Sequence, residues 1–223
     1  MVERVADRTR WKSPSNLGWL ECSLSQNEID HLWKCVDQSM KKDPQCFKNN
    51  LAGNISHSYM INDLDDYFFN NTITPLIGIY KDFFKDMIGN GRTMPVLYED
   101  LIHFEPKLER FWVNYQKQHD FNPPHDHSGV YSFVIWLKIP IEFKDQNKNN
   151  KTNTPLRSAF SFQYLDLLGN ITHHNYELGK KFEGKMLFFP SGLNHEVYPF
   201  YDCEEDRISI SGNILMSIKN DAL

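Results

Sequence analysis

The second half of the chain carries short apolar runs interrupted by polar clusters, a pattern typical of β-strands. Six runs rich in β-branched and aromatic residues span 111–116, 130–140, 158–166, 170–176, 185–190 and 207–215. Clusters of Gly, Pro, Asn or Asp separate the runs, which is the spacing expected of an all-β sandwich or barrel. We therefore predict a β-sandwich over about 95–220, in which the polar segment 142–155 forms a mobile hairpin loop.

The first half of the chain follows a helical period. Ser25 and Glu28 have the spacing of a capping box, and the apolar residues of 28–40 fall on one face of a helix. A second helical stretch covers about 63–89, within which Pro75 is expected to begin a new helix. The side predicted to be buried there comprises Phe68, Phe69, Ile77, Tyr80, Phe83, Phe84 and Met87.

The change of pattern near Pro95 suggests how the chain is organised. Residues 1–95 are predicted to form a helical and extended support region that includes a short extended piece within 51–61. Residues 96–223 are predicted to form the β core on which this region packs. The chain length suits one structural domain made of both parts.

Composition narrows the class of protein. The chain has 223 residues, 40% hydrophobic and 24% charged, which is ordinary for a soluble globular protein. A formal net charge of −5 offers no basic field for nucleic acid or an anionic membrane. The four cysteines lack CxxC spacing, and the N-terminal residues are too charged for a signal peptide. We expect reduced thiols in an intracellular, cytoplasmic protein with no membrane or nucleic-acid partner.

Three histidines are candidate metal ligands. His125 and His127 lie two apart where a strand is expected to open, so an extended backbone would point both side chains to one face. His195 follows the apolar run 186–189 in a turn-then-strand passage. A lone histidine is more often structural, but the three together suit a mononuclear site with open positions. Asp126 would replace His127 as a ligand if the segment around it is not extended.

A buried arginine is predicted on the last strand. Arg207, Ser209 and Ser211 alternate with two isoleucines, so one face of this strand is polar. Inside a sandwich an unpaired arginine is costly, and a bound carboxylate would offset that cost. The arginine and the hydroxyl group two residues later would clamp the carboxylate through charge-assisted hydrogen bonds. Together with the histidines, this pattern predicts iron and an oxo-acid cosubstrate.

These motifs, taken in order over 110–213, resemble the 2-oxoglutarate- and Fe(II)-dependent dioxygenases. The chain offers Tyr115, then His125-x-His127, then His195, then Arg207-x-Ser209. The closer likeness is to the prolyl-hydroxylase-like branch and to small phage- and bacterial-type oxygenases. The resemblance implies a mainly β fold with flanking helices, built around a double-stranded β-helix, or jelly roll.

The resemblance also implies a role for each residue. Fe(II) would bind His125, His127 and His195, while Tyr115, Arg207 and Ser209 would hold 2-oxoglutarate and Trp136 would line the pocket. The family keeps a carboxylate at the position of His127, so the choice between His127 and Asp126 as third ligand stays open.

The implied reaction uses O₂ to hydroxylate an unactivated C–H bond of a peptide or small molecule, releasing succinate and CO₂. A phage-encoded enzyme of this kind would act in the host cytoplasm. One alternative is a three-histidine, cupin-like dioxygenase that needs no 2-oxoglutarate, against which Arg207-x-Ser209 speaks. The other is a non-catalytic jelly-roll module that binds a metal. Neither the substrate nor the oligomeric state follows from the sequence.

Overall fold

The computed structural model describes residues 9–10, 16–41, 43–88, 104–148 and 152–218. Its ten strands within these residues are β1 (Leu20–Ser23), β2 (His57–Met60), β3 (Phe104–Gln116), β4 (Asn122–His125), β5 (Tyr131–Lys138), β6 (Ala159–Leu165), β7 (Ile171–Glu177), β8 (Lys185–Pro190), β9 (His195–Val197) and β10 (Arg207–Ile218). Its α-helices there are α1 (Gln26–Lys41), α2 (Thr74–Ile88) and the short α3 (Phe143–Asn147). Three-residue 3₁₀ turns occupy Lys48–Asn50, Leu64–Asp66 and Lys180–Phe182, and a π-helical turn covers Phe69–Ile73.

Two antiparallel sheets form the molecule. The six-stranded sheet has the order β1-β8-β5-β10-β3-β2, and the four-stranded sheet has the order β4-β9-β6-β7. From β3 to β10 the chain passes repeatedly between the two sheets, which produces the double-stranded β-helix. The predicted fold class, mainly β with flanking helices, is therefore confirmed.

Each face of the six-stranded sheet buries an apolar cluster. Between the sheets lie large side chains from both, including Trp136, Phe160, Phe162 and Phe189, together with Phe200 from the connection between β9 and β10. On the outer face, side chains of α1, α2 and the π-helical turn pack against side chains of β3, β5, β8 and β10. Because β5 is covered on both faces, almost all of its residues are buried, and 133–137 form a continuous apolar run.

The capping box predicted for the first helix is confirmed. The backbone N–H and the hydroxyl group of Ser25 both donate to Glu28 Oε2, at 2.7 and 2.6 Å. These bonds satisfy groups that the first helical turn leaves without partners, so α1 begins directly after Ser25. Pro75 is the second residue of α2, in the first turn as predicted.

The prediction for the buried side of the second helix is partly wrong. Phe68, Ile77 and Tyr80 are buried, but Phe83 is 74% exposed. The backbone departs from helical geometry at Phe84 (φ −112°, ψ 18°), so the period of 3.6 residues does not continue through this turn. The side chain of Met87 lies outside the described part of the structure.

The polar segment 142–155 is more ordered than a mobile loop. Its first part forms α3, and Gln146 exchanges two hydrogen bonds with the backbone of Tyr201, at 2.8 Å each. Asn147 accepts from the backbone N–H of Arg157 at 3.2 Å. These side-chain amides anchor the segment, and only 149–151 of it lie outside the described residues.

The predicted support region contributes strands as well as helices. β1 pairs with β8, and β2 pairs with β3, so both complete the six-stranded sheet at its edges. The predicted boundary between 95 and 96 lies outside the described residues. Within the described chain, no helix has both the length and the apolar character needed to cross a membrane.

Candidate metal centre

Two strands of the four-stranded sheet bring His125 and His195 together. β4 and β9 pair antiparallel, with these two histidines opposite each other. β4 is the edge strand of its sheet, which accommodates Pro123 and Pro124 because proline cannot donate a backbone hydrogen bond. The side chains of directly opposed residues lie close together, so the pairing register creates half of the site.

His127 reaches the same point from a different backbone position. It lies two residues beyond the end of β4, and its backbone N–H donates to Ser191 O at 2.9 Å. Its ring centroid is 5.0 Å from that of His125 and 4.9 Å from that of His195. The centroids of His125 and His195 are 4.3 Å apart. One candidate ligand atom from each of the three histidines lies within 4.8 Å of the other two, which is a spacing that suits a single metal ion.

Backbone carbonyls orient two of the rings. His125 Nδ1 lies 2.7 Å from Pro123 O, and His195 Nδ1 lies 2.9 Å from Leu193 O. A carbonyl only accepts, so each Nδ1 carries the proton and donates it, which leaves Nε2 with a free lone pair. A second hydrogen bond of this kind is what fixes metal-binding histidines in position.

Burial keeps the three rings neutral. It lowers the pKa of His125, and it lowers the pKa of His127 to about 4, with further lowering from the neighbouring His125. The pKa of His195 is well below its ordinary value, first because of burial and then because of the other two rings. A neutral imidazole is the form that binds a metal, so the site fits a cation.

A cavity opens beside the histidines, between the two sheets. Its wall includes Trp112, Asn114, Gln116, Asn122, Trp136, Phe160, Ser209 and Ser211. Three polar atoms of this wall, Trp112 Nε1, Asn114 Oδ1 and Asn122 Oδ1, are buried without a protein hydrogen-bond partner. Buried polar groups in proteins nearly always have partners, so these atoms indicate space for a polar ligand.

Strand β3 presents residues to this cavity that no motif in the sequence singles out. Trp112, Asn114 and Gln116 point inward, whereas Tyr115 lies on the opposite face, among the side chains covered by the helices. The ring of Tyr115 contacts that of Tyr59 at 6.3 Å. The structure therefore does not bring Tyr115 together with the histidines. Val113 and Tyr115 alternate with these residues, but because both faces of β3 are covered, the alternation alone does not show which set meets the cavity.

Arg207 is fully buried, with an exposed fraction of 0%. Its Nε and Nη2 atoms donate to Gln116 Oε1 at 3.0 and 2.9 Å. Nη1 donates to Ser158 Oγ at 3.1 Å, and Nη2 also donates to Tyr198 O at 3.0 Å. Ser158 has a φ of 65°, a left-handed backbone conformation that is uncommon for a residue with a side chain. The guanidinium group also lies 5.2 Å from the ring centre of Phe200, so it is held rigidly.

The charge of Arg207 has little compensation. Burial lowers its pKa to about 9, and the negative charge of Asp120 only partly opposes this effect. Asp120 itself accepts hydrogen bonds from the backbone N–H groups of Ser56 and Lys117, at 2.6 and 2.9 Å. Arg207 makes no ion pair with a carboxylate among the described residues. This end of the cavity therefore favours an anion.

Ser209 and Trp136 occupy neighbouring positions in the cavity wall. Ser209 on β10 is opposite Asn114 of β3 on one side and Trp136 of β5 on the other. The edge of Phe160 packs against the Trp136 ring at 5.5 Å. These residues line the cavity together with Gln116 and His127.

Two other features bear on the choice of ligands. Asp126 is exposed and is not part of the histidine group. A second group of ligand-type atoms joins His31, Cys35 and Asp63, with His31 Nε2 2.7 Å from Asp63 Oδ1. Both oxygens of Asp63 already accept backbone N–H groups, and burial raises the pKa of the Cys35 thiol to about 11. We therefore interpret this second group as a helix cap.

Comparison with known proteins gave one family and several structures. The family described as "Putative 2OG-Fe(II) oxygenase" matches residues 110–213. No curated protein sequence matches the chain. A Pseudomonas putida prolyl-4-hydroxylase structure is similar with 15% identity and a TM-score of 0.47, covering 87% of this chain and 90% of its own. A 2OG-Fe(II) oxygenase family oxidoreductase from Burkholderia pseudomallei has 15% identity and a TM-score of 0.43, covering 85% of this chain and 78% of its own.

Proposed function

We propose that this chain, whose residues 110–213 match the family described as putative 2OG-Fe(II) oxygenase, is such an oxygenase and holds Fe(II) on His125, His127 and His195. Fe(II) and 2-oxoglutarate are the cofactors of that family, and O₂ is its oxidant. The observation that carries the ligand assignment is the convergence of three neutral imidazoles on one point beside a buried cavity. A group of three protein ligands leaves coordination positions for the cosubstrate and O₂.

The reaction we propose is hydroxylation of an unactivated C–H bond in a peptide or small molecule. When bound, Fe(II) and 2-oxoglutarate supply the oxidative chemistry, in which one oxygen atom of O₂ enters the product and the other enters succinate, with release of CO₂. The residues of the chain bind the cosubstrate, orient the substrate and exclude water. Trp136 and Phe160 form an aromatic wall that excludes water, since both side chains are almost fully buried.

We assign the distal carboxylate of 2-oxoglutarate to Arg207 and Ser209. The support is the buried, poorly compensated charge of Arg207 and the place of Ser209 in the cavity wall beside it. The role predicted for Tyr115 has no geometric support, because its side chain lies on the outer face of β3. Asn114 is our candidate for contacting the part of 2-oxoglutarate that lies between Arg207 and the histidines. It lies opposite Ser209 and has an unpartnered buried oxygen.

Anaerobic titration of the protein with Fe(II) and 2-oxoglutarate tests the proposal. We expect a weak visible charge-transfer band when both are present, and succinate formation when O₂ is admitted. Without a band and without succinate, the proposed function is wrong. A band that needs Fe(II) but is insensitive to 2-oxoglutarate would instead favour a dioxygenase that does not use this cosubstrate.

A further inference from the structure

Gln116 separates Arg207 from the cavity. The Gln116 side chain is part of the cavity wall, whereas Arg207 is not among the described residues that line it. Gln116 Oε1 accepts two hydrogen bonds from Arg207, at 3.0 and 2.9 Å, and its Nε2 donates to Asp120 O at 2.9 Å. A ligand that enters from the histidine end therefore meets the amide of Gln116 before it meets the guanidinium group.

The amide of Gln116 occupies the edge of the guanidinium group that a carboxylate would bind. Its single oxygen accepts from both Nε and Nη2, the pair of donors that would otherwise face the two oxygens of a carboxylate. An amide oxygen carries only a partial negative charge, so its bonds to Arg207 are weaker than those of a carboxylate. A carboxylate that reaches Arg207 can therefore replace Gln116 there.

We propose that Gln116 is a neutral placeholder at the carboxylate position of Arg207, which the distal carboxylate of 2-oxoglutarate displaces when it binds. The proposal rests on the proposed function. In this arrangement Gln116 satisfies the buried arginine while the cosubstrate is absent and gives way to an anion, so it is a positioning residue and not a catalytic one. It also makes the site selective for oxo acids with a second carboxylate.

Two substitutions at Gln116 should have different effects on the affinity for 2-oxoglutarate. Gln116→Glu places a permanent carboxylate on Arg207, so we expect 2-oxoglutarate to bind about 100-fold more weakly or worse. Fe(II) affinity should not change, and the melting temperature without ligand should be no lower than that of the wild type, because the new charge pairs with Arg207. Gln116→Ala removes the placeholder, so we expect 2-oxoglutarate to bind as tightly as in the wild type or more tightly.

The experiment is the anaerobic charge-transfer titration with 2-oxoglutarate, together with thermal melting with and without it. Gln38→Glu is the matched control, because it adds the same charge to an exposed position of α1 and should behave like the wild type. Absence of the band in the wild type overturns the proposed function itself. A wild-type band combined with tenfold weaker binding in Gln116→Ala, or with unchanged binding in Gln116→Glu, overturns only the role of Gln116.

Discussion

The three histidines are held by different means, and this affects how each responds to change. His125 and His195 are fixed by strand pairing and by their Nδ1 hydrogen bonds to backbone carbonyls. His127 lies beyond the strand and is positioned by its backbone N–H bond to Ser191 O. Its backbone is therefore the least constrained of the three, and its side chain is the one whose replacement the site should tolerate best.

The first prediction concerns that position. His127→Asp should retain Fe(II), because a carboxylate oxygen is a suitable ligand for this metal and two histidines with one carboxylate form a common Fe(II) site. His127→Ala should weaken Fe(II) binding by about 100-fold or more, since loss of even an outer partner of a ligand costs about 10- to 100-fold. Anaerobic Fe(II) titration measures both affinities.

Asp126→Ala is the matched control for this prediction, since Asp126 is adjacent in sequence and exposed. It should bind Fe(II) like the wild type. If Asp126→Ala loses the metal while both His127 variants keep it, then Asp126 is the third ligand and our assignment is wrong.

The second prediction concerns Arg207. Arg207→Lys keeps a positive charge but loses the planar fork, so it cannot make the paired hydrogen bonds that a carboxylate needs. We expect 2-oxoglutarate affinity to fall by about 10- to 100-fold, with Fe(II) affinity unchanged. The charge-transfer titration reports both quantities on one sample.

Arg157→Lys serves as the comparison for this variant, because the Arg157 guanidinium stacks on Tyr201 and does not line the cavity. It should leave both affinities as they are. Equal losses of Fe(II) and 2-oxoglutarate affinity in Arg207→Lys would show a general disruption of the site and would count against a role in binding the carboxylate.

The local sequence selected the histidines, Arg207, Ser209 and Trp136, but not the residues that β3 presents to the cavity. An alternating pattern shows which residues of a strand share a face. It shows which of the two faces points to the interior only when the other face is exposed and polar. In β3 both faces are covered, since Trp112 is 3% exposed and Val113 is 0% exposed. Tyr115 and Gln116 were therefore equally plausible. The contact of Gln116 with Arg207 joins residues far apart in the chain, which no local pattern reveals.

At the scale of the elements, the capping box of α1 also connects this helix to the segment that precedes α2. Glu28 closes the capping box with Ser25, and its other oxygen, Oε1, accepts a hydrogen bond from the hydroxyl group of Thr72. Thr72 lies in the π-helical turn that precedes α2 and is buried. One carboxylate thus joins the start of the first helix to the segment that leads into the second.

The third prediction is that Glu28→Gln destabilises the fold by about 1 kcal/mol at pH 7, the usual cost of losing a helix cap. Burial alone would raise the pKa of Glu28, but the hydrogen bonds from Ser25 and Thr72 outweigh it and hold the pKa below its ordinary value. The stabilisation is therefore complete above the ordinary carboxyl pKa and is lost as the pH falls through the lower value of the folded state.

Urea unfolding at pH 7 and at pH 3 tests this prediction. The difference in unfolding free energy between the wild type and Glu28→Gln should shrink at the lower pH, because the wild-type carboxylate is then increasingly protonated. Glu109→Gln, at an exposed position of β3, should unfold like the wild type at both values. A difference that stays constant or grows on acidification would contradict the role assigned to the carboxylate.

Local patterns predicted best those elements whose structure depends only on burying an apolar run. The run at 185–190 became β8 with the same bounds, because an apolar stretch between turns can satisfy its backbone in a central strand. The segment 142–155 was harder, since its α3 is anchored by two hydrogen bonds exchanged between the Gln146 amide and the backbone of Tyr201, more than 50 residues away in the chain. Distant polar contacts of this kind leave no period in the sequence.

At the scale of the whole molecule, the described residues between 16 and 88 contribute to the main sheet and to its cover. β1 and β2 form the two edges of the six-stranded sheet, one on each side of the strands that carry the cavity. α1 and α2 cover the outer face of the same sheet through a shared apolar cluster that contains Leu32 and Val36 of α1. Without β1 and β2, the strands β8 and β3 would expose unpaired backbone groups at new edges, so we expect the two parts of the chain to depend on each other.

The fourth prediction is therefore that the protein unfolds in a single cooperative step, although its sequence divides into a helical half and a β half. Leu32 has an exposed fraction of 0% in the outer cluster, so Leu32→Ala should destabilise the whole molecule by about 2–5 kcal/mol. Far-UV circular dichroism and tryptophan fluorescence should give one coincident transition in both proteins, shifted as a unit in the variant.

Leu168→Ala provides the control, because Leu168 is 84% exposed and its truncation should leave the transition in place. The outer cluster is separate from the cluster between the sheets, so Leu32→Ala should still bind Fe(II) and 2-oxoglutarate with wild-type affinity well below its melting temperature. Two resolved transitions, with the helical signal lost first and fluorescence from the β core retained, would show that the helical region is a separate unit docked on an independent core. Cooperative unfolding with intact binding would instead show that the helices stabilise the sheet without shaping the cavity on its other face.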